Sequence, residues 1–248
     1  MPKILVTPVV FNEQGKIQNV IERFLRCRNR ISPPSARLDY LIVDDGSTDE
    51  SSSIIAGFKN RGVETIKHQK RKGVGAAIRT AIRYGLENHY DILVVMAGND
   101  KDNPEEIPSL WDPILKEGYD LVQGSRYLQS GGTGGDMPFY RKIATRLHPR
   151  LFSLITRRPM TDTTNGFRAF QLSILKDSRI NLNQEWLDTY ELEPYLLFKA
   201  LTLGFKVREV PVTKIYPSRK LGYTKMRPFV GWWSILKPLF YLGLGIRK

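Results

Sequence analysis

Six consecutive residues concentrate chemistry in this chain: Asp44, Asp45, Gly46, Ser47, Thr48 and Asp49. A turn followed by a helix accounts for the glycine and for Ser47 or Thr48, whose hydroxyls cap helix N-termini. It leaves unexplained two adjacent carboxylates at the end of the apolar run YLIV. Like charges side by side are unfavourable unless a ligand or cation uses them. Carboxylates at such a place can accept hydrogen bonds from a nucleobase edge or from ribose hydroxyls.

Short apolar runs alternate with helical patterns on either side of this segment. Strands are expected at 3–10, 40–45, 63–68, 91–96 and 120–125, with helices around 17–25, from 49, over 76–86 and from 104. Later, 167–170 and 205–212 read as strands around a helix at 193–203. Runs of this kind build a mostly parallel α/β sheet covered on both faces, and such sheets bind ligands at the carboxyl ends of their strands. The residues just after each strand are therefore the ones to read for chemistry. The glycine-rich stretch 130–138 is expected to be a mobile loop.

Composition narrows the function. The 248 residues carry 38 Lys/Arg against 25 Asp/Glu, a net charge of +13. A single cysteine, Cys27, excludes an internal disulfide or a cysteine zinc cluster, and three scattered histidines argue against a His-based metal site. The first residues show no secretory leader pattern, so a cytoplasmic location is expected. Residues 201–248 hold ten Lys/Arg and one acid, Glu209, so most of the excess charge sits there. That tail is also aromatic: Phe229, Trp232, Trp233, Leu236 and Phe240 follow helical spacing. Trp beside Lys/Arg fits a membrane-surface helix, with a helix packed on the core or a true span as alternatives. The chain is expected to divide into 1–215 and a basic aromatic segment, 216–248. Nucleic acid is not expected as a partner, because no basic stripe with stacking aromatics occurs outside the tail.

The motifs resemble family 2 glycosyltransferases, whose fold is GT-A, a Rossmann-like nucleotide-sugar fold. PVVFNE (8–13) is similar to the family's first signature with one residue added, and VDDGSTD (43–49) carries its second in full. KRKGVGAA matches a later segment loosely; it lacks the third glycine and the ribose-binding acid of a dinucleotide fingerprint, which argues against a Rossmann oxidoreductase. GSRY (124–127), TDTTNGFRAF (161–170), a helix with Glu193, EVPV (209–212) and R-x-x-G-x-T-K (219–225) follow in family order. These later blocks resemble the polyprenyl-phosphate subgroup, the dolichol-phosphate mannosyltransferases and bacterial glucosyl counterparts.

The resemblance implies an inverting transfer of a sugar from a GDP- or UDP-sugar to a polyprenyl or dolichyl phosphate at the cytoplasmic face of a membrane, with peripheral attachment. It implies donor binding by Pro8, Asn12, Glu13, Asp44, Asp45, Ser47, Lys72, Gly73, Gly98 and Asn99. It implies catalytic roles for Asp100, Asp102, Arg126 and Asp162, and acceptor-phosphate contacts from Arg168, Arg219 and Lys225. Where the family has D-x-D for Mg2+ or Mn2+, this chain has Ala97-Gly98-Asn99-Asp100-Lys101. Three arrangements are open: Asn99, Asp100 and Asp102 hold the metal in shifted register, Lys101 supplies the positive charge without metal, or the site binds without turnover. A saccharide or protein acceptor is the alternative to the lipid phosphate.

Overall fold

The computed structural model describes residues 1–217 and 230–247. Strand β1 (Lys3–Val10) leads through helix α1 (Ile17–Ile31) to β2 (Arg37–Asp44), and α2 (Ser51–Ala56) leads to β3 (Val63–Lys67). Helix α3 (Val74–Glu87) then crosses to β4 (Ile92–Ala97), and α4 (Ile107–Glu117) to β5 (Leu121–Ser125). The later chain forms β6 (Gly132–Gly135), α5 (Phe139–Thr156), β7 (Arg168–Gln171), α6 (Leu192–Thr202), β8 (Val207–Pro211), β9 (Thr213–Tyr216) and α7 (Val230–Gly243).

Seven strands form one sheet in the order β3-β2-β1-β4-β7-β5-β8, and every pairing is parallel except those of β7. Side chains alternate between its faces as the two-residue strand period requires. Ile4, Val6, Tyr40, Ile42, Ile92 and Val94 join α1, α2 and α4 in one core. Leu5, Leu41, Val43, Leu93 and Val95 join α3 and α6 in the other. Helix α1 shows why these residues choose this structure. Ile17, Val20, Ile21, Phe24, Cys27 and Ile31 recur at helical spacing and are all buried, with Phe24 stacked on Tyr40 at 3.9 Å between ring centres. The helix ends where Ser32 precedes two prolines, and the Ser32 hydroxyl satisfies the Arg28 carbonyl at 2.7 Å.

From β1 the chain moves outward to β2 and β3, then returns to β4 on the other side. This reversal opens a crevice outside the carboxyl ends of β1 and β4. Antiparallel β7 starts beside it, because Arg168 stands opposite Val95 near the end of β4.

Two expectations change. The stretch 130–138 contains a strand, since β6 pairs in parallel with β9. Its glycines permit this: Gly135 has φ 73°, and a Cβ there would collide with the Tyr216 carbonyl. Strand β9 also crosses the expected boundary at 215/216. Helix α7 lies against the domain, with Leu239 buried, Lys237 bonded to Glu191 at 2.8 Å and the Ile235 carbonyl bonded to His148 Nε2 at 3.2 Å. Among the described residues no helix is long and apolar enough to cross a membrane.

His148 joins α5 to α7 in its neutral form. Its Nδ1 accepts from Thr163 Oγ1 at 2.6 Å, and burial pushes its pKa down to about 4. The unfolded chain therefore takes up this proton first, and the stability gained from a neutral His148 is lost as pH falls from about 6.5 toward 4. At pH 5 the loss is about 2 kcal/mol. Urea unfolding of wild type and His148→Gln should show a stability gap at pH 7 that narrows by about this amount at pH 5; an unchanged gap would mean that the imidazole is not held neutral.

Candidate functional site

The loops after β1, β2 and β3 interlock through short polar side chains. The Asn12 amide donates to Ser47 Oγ at 3.0 Å, and the Thr48 amide donates to Asn12 Oδ1 at 2.8 Å. Asp44 Oδ1 accepts from the Ser47 amide at 2.8 Å, and its other oxygen accepts from Ser52. Asp45 reaches the opposite way. Its Oδ1 accepts from the Lys72 amide at 2.8 Å and faces His68 Nδ1 at 2.9 Å, while Oδ2 accepts from the Gly73 amide at 2.8 Å. These bonds hold the loop that opens α3. Gly73 is required there: its φ is 113°, and a Cβ would collide with the Asp188 carbonyl.

Beyond the strand ends lies a cavity of about 500 Å³. Of the expected donor residues, Glu13, Asp45, Gly73 and Asn99 line it. Asn12, Asp44 and Ser47 brace its floor, and Lys72 contributes its amide. Pro8 sits inside β1 opposite Met96, and Gly98 packs against Val9 and Val10. Asn99 Oδ1 is buried without a hydrogen-bond partner.

Asp100 and Asp102, expected as catalytic groups and metal ligands, turn away from the cavity. Asp100 has φ 57° and points to α1, where Arg23 Nη1 lies at 2.7 Å and Asn19 also bonds it. Asp102 is buried beneath the turn, accepting from the Ala97 amide at 2.8 Å and from Lys214 Nζ at 2.6 Å. The turn instead brings Lys101 into the cavity, and Lys101, Arg141 and Lys214 all line it. Burial and the charges of Arg141 and Lys214 push the Lys101 pKa down to about 7.

A divalent cation does not fit this donor set. Among the described residues no three His, Cys, Asp or Glu side chains converge to hold a metal. Besides Asn99 Oδ1, the carboxylates at this end are Glu13, paired with Lys16, and Asp45, whose oxygens are bonded to His68 and two backbone amides, and Lys101, Arg141 and Lys214 surround them. A dication about 5 Å from a single ammonium meets about 7 kcal/mol of repulsion at an effective dielectric of about 20.

The other wall comes from β5 and the segment before β7. Arg126 holds Asp162 in a fork, Nε to Oδ2 at 2.6 Å and Nη2 to Oδ1 at 2.7 Å, and its Nη1 donates to Tyr216 Oη at 3.0 Å. Burial alone would lower the Arg126 pKa, yet the Asp162 carboxylate holds it above the ordinary value. Arg168 donates to the carbonyls of Glu193 and Asn165, each at 2.8 Å, and its buried Nε has no hydrogen-bond partner. Both arginines line the cavity; Asp162 stands behind Arg126. Arg219 and Lys225 lie outside the described residues.

Sequence reading missed Lys214, Arg141 and Arg71, which also line the cavity. Lys214 lies two residues past the EVPV block and was within reach of a closer reading. Arg141 belongs to α5, whose sequence carries no simple core pattern. The far end of the cavity is apolar, formed by Val74 and Ile78 of α3, Leu147 and Leu151 of α5, and Ile235 and Leu236 of α7.

Residues 6–179 match the family described as Glycosyl transferase family 2. The chain is 28% identical over 227 residues to polyprenol monophosphomannose synthase of Mycolicibacterium smegmatis, covering 90% of this chain and 81% of that one. It is 30% identical over 213 residues to undecaprenyl-phosphate mannosyltransferase of Micrococcus luteus, covering 84% of each. Glucosyl-3-phosphoglycerate synthase of Mycobacterium tuberculosis, solved with Mn2+, UDP-glucose and glycerol 3-phosphate, superposes with a TM-score of 0.62 at 19% identity, covering all of this chain and 82% of that one. With this sheet, these strand-end motifs and these relatives, the chain belongs to glycosyl transferase family 2 and has the GT-A fold.

Proposed function

We propose that this enzyme transfers a sugar from a GDP- or UDP-sugar to a polyprenyl or dolichyl phosphate, inverting the anomeric carbon. The observation that carries this reading is a cavity with two unlike ends. One end is polar and cationic at the strand ends, and the other is apolar between α3, α5 and α7. That combination suits a diphosphate and a phosphate whose substituent is a hydrocarbon. The names of the two relatives point to the same acceptor class.

The chemistry asks little of a base. An oxygen of the acceptor phosphate, already anionic, forms a bond to the anomeric carbon from the face opposite the leaving group. The bond from that carbon to the donor diphosphate breaks, and its electron pair goes to the diphosphate oxygen. Cationic groups near that oxygen lower the barrier. Glu13, Asp45 and Asn99 face the donor end. Arg168 has an unused N–H for the acceptor phosphate, Arg126 is steadied by Asp162, and Arg219 and Lys225 keep the acceptor role that the resemblance gives them.

A membrane surface supplies the lipid. Helix α5 has no acidic residue and exposes Phe139, Leu154 and Ile155 outside the cavity, while Ile143, Leu147 and Leu151 are exposed where they line it. Trp233 and Phe240 of α7 are also exposed and stack at 5.8 Å. An apolar face with basic residues on the same helix suits peripheral attachment to an anionic bilayer. The attachment surface thus extends beyond the tail that the sequence indicated, and the cytoplasmic leaflet is the surface proposed.

Turnover assays with GDP-mannose, UDP-glucose and related donors should give a β-linked product on a polyprenyl phosphate; transfer only to a saccharide or protein acceptor would overturn the lipid reading. Asp45→Ala removes the anchor of the Lys72–Gly73 loop and should weaken GDP or UDP binding by about 1–3 kcal/mol; equal affinity by calorimetry would remove Asp45 from the donor site. Phe139 and Leu154 are 76% and 77% exposed and do not line the cavity. Replacing both with Glu should reduce cosedimentation with phosphatidylglycerol vesicles at least tenfold, since each apolar side chain contributes about 1.5–3 kcal/mol when buried. Activity on a short, water-soluble prenyl phosphate should persist, and unchanged sedimentation would exclude α5 from the membrane contact.

A further inference from the structure

The turn after β4 exchanges a carboxylate for an ammonium at the place where the resemblance puts a metal. Asp100 is drawn out to Arg23, and Asp102 is drawn under to Lys214, so neither carboxylate faces the cavity. Lys101 lies between them in sequence and takes the inward position, 5% exposed, its ammonium 5.1 Å from the centre of the Tyr216 ring. The position is built rather than accidental. The Lys101 carbonyl accepts from the Ile215 amide at 2.9 Å, which fixes the turn to β9. One residue earlier on β9, Lys214 bonds Asp102 and also Asn165 Oδ1 at 2.8 Å. The carboxylates that do line this end are already engaged. Glu13 pairs with Lys16 at 2.5 Å, and Asp45 is bonded to two backbone amides and His68. This end of the cavity therefore gathers Lys101, Arg141 and Lys214 where the resemblance puts a metal.

We propose that Lys101, supported by Lys214, is the cation that neutralises the donor diphosphate, and that this enzyme binds its donor without a divalent metal. As the bond from the anomeric carbon to the diphosphate breaks, the Lys101 ammonium donates a hydrogen bond to the oxygen that receives the electron pair; no proton leaves the lysine. Lys214 is a positioning residue, since it keeps Asp102 from competing for Lys101. The inference rests on the nucleotide-sugar reading given above.

Calorimetry on the full chain with GDP and UDP tests it, first in excess EDTA and then with Mn2+. Binding of at least one of the two should be equally tight in both. Lys101→Met should weaken that diphosphate about ten- to a hundredfold, the loss of a charged hydrogen bond. Binding of the matching nucleoside, guanosine or uridine, should not change, which shows that the fold and base site are intact, and Lys101→Arg should recover most of the diphosphate affinity. Diphosphate binding that appears only with Mn2+, or that is unchanged in Lys101→Met, overturns the metal-free assignment while leaving the donor reading standing. Failure of both GDP and UDP to bind under any condition overturns the donor reading, and this inference with it.

Discussion

Arg126 and Asp162 meet where neither could stay alone. Both are almost wholly buried, and removing one partner from such a pair leaves an uncompensated charge at a cost of about 3–5 kcal/mol. The pair also decides the layout around it. Arg126 follows β5 and Asp162 belongs to the segment that enters β7, so their fork ties the ends of two antiparallel neighbours at one point. Thr164 accepts from the same guanidinium at 2.7 Å, and the Tyr216 hydroxyl accepts from its third side. Glu209 on β8 then anchors the Thr161 and Asp162 amides, each at 2.8 Å. One ion pair thereby holds four chain segments around the acceptor side of the cavity.

The donor side rests on a different device. Asn12, Ser47, Thr48 and Asp45 cross-link three loops with neutral or charge-assisted hydrogen bonds to main-chain amides. Such bonds satisfy backbone donors that the strand ends leave open. The two halves differ in character, hydrogen-bonded loops on one side and buried charge on the other, and the β4 turn lies between them with its lysine.

The central strands were legible because a parallel sheet buried on both faces demands uninterrupted apolar runs, and ILVV, YLIV and KILVTPVV are such runs. The Asp44–Asp49 block was legible because its chemistry exceeds what a turn needs. Helix α5 was not, since its apolar residues are divided between the cavity and the surface, and His148, Pro149 and four basic residues interrupt any simple core pattern. Strand β6 was hidden for the opposite reason: four residues with three glycines carry no side-chain alternation, and its existence depends on a partner some eighty residues away. The fate of Asp100 and Asp102 depended on Arg23 and Lys214, each distant in sequence, so local spacing suggested ligands where tertiary pairing made anchors.

Strand β9 is short, four residues, and among the described residues it pairs with β6 alone in its sheet. Yet Lys214 secures the turn that carries Lys101, and Tyr216 secures Arg126 two residues further on. A two-stranded ribbon with three glycines among its eight residues is a weak fastening, because it has few side chains to bury. Separating it would withdraw support from the leaving-group end and the acceptor end in the same movement. The ribbon therefore acts as a common latch, and order on one side of the reaction centre is not independent of order on the other.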